Sequence, residues 1–180
     1  MCAIIDRLAA MFRVGILTVS DKGSTGERED RSGEAIREIM AGAGAEVVER
    51  AIVPDERRQI VSRLSEWADS GKVDLILTTG GTGLSPRDVT PEATLDVIDR
   101  QVPGFAEAMR AESLTKTPHA MLSRAVAGTR GRVLIINMPG SPKAVRECLE
   151  VILPALPHAV ETVKGESQEC AETQPPAHGS

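Results

Sequence analysis

The chain is poor in aromatic side chains. Of its 180 residues 2% are aromatic, namely Phe12, Trp67 and Phe105, and tyrosine is absent. Without interleaved aromatics it cannot assemble a base-stacking platform for single-stranded nucleic acid. It also lacks a surplus of positive charge: 21 Lys and Arg stand against 26 Asp and Glu, a net charge of −5. That balance excludes general binding to a phosphate backbone, yet leaves room for a small anion held by local groups. The cysteines Cys2, Cys148 and Cys170 are scattered and form no CxxC pair, so neither a disulfide framework nor a zinc site is indicated. No apolar run approaches the ~20 residues of a membrane span. Met1–Phe12 has no basic n-region and is interrupted by Asp6, unlike a signal peptide. A cytoplasmic protein that binds neither nucleic acid nor membrane is expected, with Met1 and Met11 as alternative starts.

What remains suits one globular domain. A length of 180 residues falls within the usual ~100–200 per domain, and 41% apolar with 26% charged residues is an ordinary soluble balance. Three segments follow: an N-terminal extension over residues 1–12, a domain over 13–164 and a polar, proline-bearing tail over 165–180 (GESQECAETQPPAHGS).

Within the domain, apolar runs and amphipathic stretches alternate. Arg13–Ser20 (RVGILTVS) reads as a strand buried on both faces. A helix fits Ser32–Ala43, with Ala35, Ile36, Ile39 and Met40 on one side. Glu46–Val53 is a second strand. Asp55 can cap the next helix, whose stripe is Ile60, Val61, Leu64, Trp67 and Ala68. Val73–Thr79 is the third strand. Thr90-Pro91-Glu92 has a helix-start signature, a hydroxyl cap followed by proline and an acid, for a helix running to about Arg100. Another helix covers Gly104–Leu114, a fourth strand Arg132–Asn137 and a final helical stretch Pro142–Lys164, broken at Pro154 and Pro157. This alternation predicts a single three-layer α/β domain, a mainly parallel sheet with helices on both faces.

Open sheets of this kind bind ligands outside the carboxyl ends of their strands, and here those ends carry chemistry. The first ends in Ser20-Asp21-Lys22-Gly23, the second in Pro54-Asp55-Glu56, the third in Thr79-Gly80-Gly81-Thr82-Gly83 and the fourth in Asn137-Met138-Pro139-Gly140-Ser141-Pro142-Lys143. The Gly80–Gly83 run can bring successive N–H groups onto a phosphate. The Asn137–Lys143 segment leads into a helix N-terminus, whose free N–H groups and dipole favour negative charge. Each loop also has a plain reading as a tight turn. Neither is a nucleotide fingerprint: GxxxxGK[ST] is absent, and Pro86 stands where GxGxxG needs its third glycine.

Asp55 reads either as a helix cap or as a functional carboxylate, and Asp88 either as a brace before Thr90 or as its counterpart. Two uncompensated carboxylates beside a phosphate cradle make sense with a bridging hard cation such as Mg²⁺, and Arg87 and Lys143 can then neutralise charge that develops during transfer. Ser123, Cys148 and His119 have no sequence context for a nucleophile with a partnered base. The residues alone thus point to phosphate handling and leave the second substrate open.

TTGGTGLSPRDVTPEAT (Thr78–Thr94) resembles the signature of the molybdopterin adenylyltransferases, also carried by the G domains of fusion proteins such as gephyrin. Further agreement lies in GILTVSDKGSTGEREDRSG (Gly15–Gly33), IVPDE (Ile52–Glu56), PGFAEAMR (Pro103–Arg110), TPHAMLSRAVAG (Thr117–Gly128) and IINMPGSPKAV (Ile135–Val145). The resemblance covers about residues 13–164 and implies that molybdopterin and Mg-ATP react to give adenylylated molybdopterin and pyrophosphate. It implies Asp55 and Asp88 as catalytic, Mg²⁺-holding carboxylates. Ser20, Asp21, Gly80, Gly81, Thr82, Gly83, Pro139 and Gly140 would form the nucleotide and phosphate loops. Ser123 is implied for molybdopterin, with Arg87, Ser141 and Lys143 as the accompanying expected contacts. A homotrimer is implied too, and hand-over of product to a molybdate insertase. The alternatives are a paralogous molybdopterin- or nucleotide-binding protein and a non-catalytic trimeric scaffold. Molybdate insertases themselves carry such a domain within much longer chains.

Overall fold

The computed structural model describes residues 12–165. The expected extension before Phe12 and the tail after Gly165 lie outside the described residues. Phe12 itself is 4% exposed and belongs to the core.

Six strands form one sheet: β1 (Arg13–Val19), β2 (Glu46–Val53), β3 (Leu75–Thr79), β4 (Arg100–Gln101), β5 (Ala127–Arg130) and β6 (Val133–Met138), in the spatial order β2-β1-β3-β6-β5-β4. The first four in that order are parallel, and β5 and β4 continue the sheet antiparallel. Side chains alternate between two buried layers, as the period-two pleat requires. Val14, Ile16, Leu75, Leu77, Leu134 and Ile136 face a layer completed by α2 (Arg31–Gly42), α5 (Pro103–Leu114), α6 (Pro142–Ile152) and α7 (Leu156–Lys164). Leu17, Val19, Ile76 and Ile135 face the opposite layer, with Ile60, Leu64 and Trp67 of α3 (Arg57–Asp69) and Ala93 of α4 (Thr90–Leu95). Burial on both sides explains why β1, β3 and β6 read as continuous apolar runs. The remaining helix, α1 (Asp21–Ser24), is a single turn after β1, capped by Ser20.

Several local expectations are corrected. Strand β3 begins at Leu75 rather than Val73. The helix expected from Thr90 to about Arg100 stops at Leu95, and the chain turns into β4. Asp55 is not a helix cap: α3 begins after Glu56, which makes no side-chain cap bond. The hydroxyl of Thr90 is not a cap either, since it donates to the carbonyl of Gly80 at 2.9 Å. The break at Pro154 takes the form of a 3-10 turn over Leu153–Ala155 between α6 and α7.

A buried amide ties β6 to its neighbours. Asn137 is fully buried and donates to the hydroxyls of Thr78 (3.0 Å) and Thr94 (2.8 Å), while its oxygen accepts from the N–H of Val126 (3.2 Å). It thereby holds the carboxyl ends of β3 and β6 in register with the last turn of α4.

Candidate active site

The carboxyl ends of β1, β2, β3 and β6 open onto a cavity of about 750 Å³. Of the expected residues, Ser20, Asp55, Gly80, Gly81, Asp88, Gly140 and Ser141 line it. Thr79 donates its hydroxyl to the carbonyl of Pro139 at 2.6 Å, which joins the two loops. They nearly touch: a Cβ on Gly140 would lie 3.3 Å from the Cα of Gly80. The glycine run is also pressed against both carboxylates. A Cβ on Gly81 would come within 3.1 Å of Asp55 Oδ1, and one on Gly83 within 2.8 Å of Asp88 Oδ2.

Asp21 and Asp55 clasp the ends of β1 and β2. The N–H of Asp21 donates to Asp55 Oδ2 at 2.8 Å, and the N–H of Asp55 donates to Asp21 Oδ1 at 3.0 Å. Arg87 closes over them, donating to both oxygens of Asp21 (3.1 and 2.8 Å) and to Glu56 (2.9 Å). Its hydrogen bonds hold the Asp21 carboxyl below the usual carboxylate range. Asp55 is shifted the other way. Burial pushes its pKa up, and the negative charges of Asp21 and Asp88 add to that against the pull of the Asp21 N–H.

Among the described residues no cluster of three or more His, Cys, Asp or Glu forms a ready-made metal cage. Two carboxylates facing one phosphate-sized cradle nevertheless fit Mg²⁺, which takes one or two protein carboxylates and completes its shell with substrate phosphates and water.

A consequence for stability follows from Asp55. An acid whose folded pKa is raised binds its proton more tightly in the fold, so ionisation costs stability as pH rises from the unfolded value to the folded one, and fully above it. Asp55→Asn is therefore expected to raise the unfolding midpoint at pH 7, with the gain disappearing below the ordinary aspartate value of ~3.9. Thermal unfolding of both proteins at the two pH values checks this; a lower midpoint at pH 7 would show that the ionised carboxylate stabilises the site.

The other expected residues lie elsewhere. Asp21 and Arg87 form the rim clasp, and Lys143 is exposed on the first turn of α6. Thr82 and Gly83 present their carbonyls to Arg124, from its N–H at 2.9 Å and its Nε at 2.7 Å. Ser123 and Pro139 line a second, smaller cavity of about 210 Å³ with Met109, Arg110, His119 and Cys148. Burial pushes the Cys148 thiol up, which makes it a packing group rather than a thiolate. The turn Pro139-Gly140-Ser141 is the wall between the two cavities.

Sequence reasoning missed the outer wall of the larger cavity, formed by Glu27, Arg28, Glu29 and Asp30 before α2. Asp30 was legible in part, as an acid preceding a helical stripe. It caps α2 by accepting from the N–H of Gly33 at 2.8 Å, and its other oxygen accepts from the Thr18 hydroxyl at 2.9 Å.

Known proteins share this architecture. The family described as a probable molybdopterin binding domain matches residues 15–158. The chain is 45% identical to a molybdopterin adenylyltransferase of Helicobacter pylori over 163 residues, 89% of this chain and 93% of that protein. With the molybdopterin adenylyltransferase of Escherichia coli it shares 44% identity over 141 residues, 77% of this chain and 72% of the relative. The crystal structure of the molybdopterin biosynthesis enzyme MoaB from Thermus thermophilus superposes with a TM-score of 0.82 at 61% identity, covering 86% of this chain and 98% of that one.

Proposed function

The chain belongs to the molybdopterin-binding domain family, and from that membership and the two cavities on either side of the Pro139–Ser141 turn we infer that it is a molybdopterin adenylyltransferase of molybdenum cofactor biosynthesis. The observation that carries the reading is the division of labour across the Pro139–Ser141 turn. On one side lies a large cavity with glycine loops, a helix N-terminus and two carboxylates; on the other lies a small one lined by Ser123.

In this reading ATP occupies the larger cavity and the pterin the smaller. Molybdopterin's terminal phosphate oxygen forms a bond to the α-phosphorus of ATP. The bond from that phosphorus to the bridging oxygen breaks, and pyrophosphate leaves with the electron pair. This chain contributes mainly alignment and charge. Backbone groups of Gly80, Gly81 and Gly140 approach the phosphates without side-chain obstruction, and the positive end of the α6 dipole faces them, with the Lys143 N–H left over once Ser141 has capped the Ala144 N–H. Asp55 and Asp88 hold Mg²⁺, which when bound screens the phosphate charge and stabilises the departing pyrophosphate. Lys143 supplies positive charge at the rim, Arg87 offsets the acidic charge of Asp21 and Glu56 there, and Ser123 binds the pterin. Ser20 and Asp21 shape the rim through the α1 cap and the clasp to Asp55, while Thr82, Gly83 and Pro139 hold the loops in place. A cytoplasmic homotrimer that passes its product to a molybdate insertase completes the proposal.

Incubating the purified protein with molybdopterin and Mg-ATP, and separating the products by chromatography, tests this directly. Adenylylated molybdopterin and pyrophosphate are expected in equal amounts, and both are expected to vanish when Mg²⁺ is chelated. Binding of both substrates without product would identify the chain as a paralogous binding protein or a scaffold.

A further inference from the structure

The loop that carries Asp88 is tied on one side to Asp21 and Glu56 through Arg87, and on the other by Arg124, a side chain that neither substrate site includes. Residues Leu84–Arg87 are exposed, and the loop's own bonds are short-range turns: the N–H of Asp88 donates to the Ser85 carbonyl (2.8 Å), the N–H of Ser85 to Asp88 Oδ2 (2.9 Å) and the N–H of Arg87 to the Ser85 hydroxyl (3.3 Å). Arg124 spans both ends. Its Nε donates to the carbonyl of Gly83 (2.7 Å) and its terminal nitrogens donate to the carbonyl of Asp88 (2.6 Å) and to the carboxylate of Glu92 on α4. The backbone N–H of Arg124 adds the bond to Thr82. A planar guanidinium can satisfy three acceptors at fixed angles, which a lysine ammonium on a flexible stem cannot reproduce.

The neighbours of Arg124 face the other way. Ser123 has extended backbone (φ −74°, ψ 120°), and successive side chains of an extended segment point to opposite sides. Ser123 and Ala125 accordingly line the smaller cavity, while Arg124 reaches the Asp88 loop. Arg110, itself part of that cavity's wall, donates to the carbonyl of Ala125 at 2.9 Å and holds the segment from its far side.

We propose that residues 123–125 couple the two cavities: Arg124 is the positioning residue for Asp88, and a group seated against Ser123 and Ala125 fixes that position. The inference rests on the assignment of the smaller cavity to the pterin. It makes pterin occupancy steady the carboxylate needed by the other substrate, a coupling between sites carried by a contiguous set of bonds.

Amide hydrogen exchange of wild type and Arg124→Lys, each with and without molybdopterin, tests it without relying on turnover. Without ligand, the amides of Ser85, Arg87 and Asp88 are expected to exchange at least tenfold faster in Arg124→Lys, with β1, β3 and β6 unchanged. Molybdopterin is expected to slow these loop amides in wild type only. A Mg²⁺ titration with a non-hydrolysable ATP analogue should show a midpoint about tenfold higher in the variant. Glu92→Gln, which keeps both carbonyl bonds, should leave loop exchange at the wild-type level; Arg124→Gln substitutes should Arg124→Lys fail to fold. Loop exchange equal to wild type in the Arg124 variant, or equal loosening in Glu92→Gln, would overturn the positioning role. Equal protection by molybdopterin in both proteins would overturn the coupling. Molybdopterin that leaves amides 120–125 unprotected would instead refute the pterin assignment and with it the coupling, while the ligand-free comparison still decides the role of Arg124.

Discussion

Replacing Asp88 by asparagine is expected to lower adenylylated product formation by about 10²–10³-fold, because Mg²⁺ would lose one of its two carboxylates and with it a preorganised source of charge stabilisation for the departing pyrophosphate. Stability should stay within about 0.5 kcal/mol of wild type, as for substitutions that break no packing or buried network. The separation follows from the geometry. Asp88 Oδ2 accepts a bond from the Ser85 N–H, which the amide oxygen of asparagine can retain. The main-chain carbonyl of residue 88, which Arg124 grips, is untouched. What disappears is one negative charge on the wall of the larger cavity. Asp55 registers that charge, since Asp88 contributes to its raised pKa; the Asp55 carboxyl of the variant should titrate lower. Steady-state kinetics over a Mg²⁺ series, beside thermal unfolding, check both halves. A rate within threefold of wild type would make Asp88 only the brace of the turn before Thr90.

The contrast between what could and could not be read from the sequence has a physical pattern. Strands β1, β3 and β6 were legible because burial on both faces writes itself as consecutive apolar residues. The strand-end loops were legible because glycine, proline, hydroxyl and carboxylate groups gather there for local reasons. Strands β4 and β5 were not. Arg100–Gln101 is exposed and two residues long, and Ala127–Arg130 has no apolar alternation. Their pairing depends on contacts to each other and to β6. Leu95, Val97 and Ile98 continued a helical spacing past the true end of α4, where tertiary packing takes over from propensity. Asp55 reads as a cap because it precedes the helical stripe of Ile60, Val61, Leu64, Trp67 and Ala68. Its carboxylate is instead taken by the N–H of Asp21, 34 residues away. Arg124 was missed for the same reason, since its acceptors on Gly83 and Asp88 lie 41 and 36 residues distant. Ser123 entered through family resemblance alone, because the cavity it lines is assembled from α5, α6 and the turn before β5.

Gly80→Ala is expected to be the most destabilising single substitution in the phosphate loops, by about 3 kcal/mol or more. Gly80 has φ +100°, a conformation that L side chains rarely adopt, and a Cβ there would stand 2.3 Å from the backbone carbonyl oxygen of Val19. That oxygen belongs to the last residue of β1, which pairs with both β2 and β3 and cannot yield as a flexible side chain would. The added methyl must therefore push the loop away from the sheet, breaking the bond from the Thr90 hydroxyl to the Gly80 carbonyl and displacing Gly81 from Asp55. For a chain of this size the loss corresponds to a fall of roughly 6–12 °C in the unfolding midpoint. Gly42→Ala is the internal control. It lies at the end of α2 with nothing within 4 Å of its added Cβ, and alanine there should gain up to ~1 kcal/mol from helix propensity. Urea unfolding of the three proteins separates backbone strain from any general effect of the extra methyl. An unfolding midpoint equal to wild type in Gly80→Ala, with product formation lost, would mean that the loop moves freely off the end of β3. The tight approach of Gly80 to Val19 would then serve the shape of the phosphate cradle without contributing to the stability of the sheet.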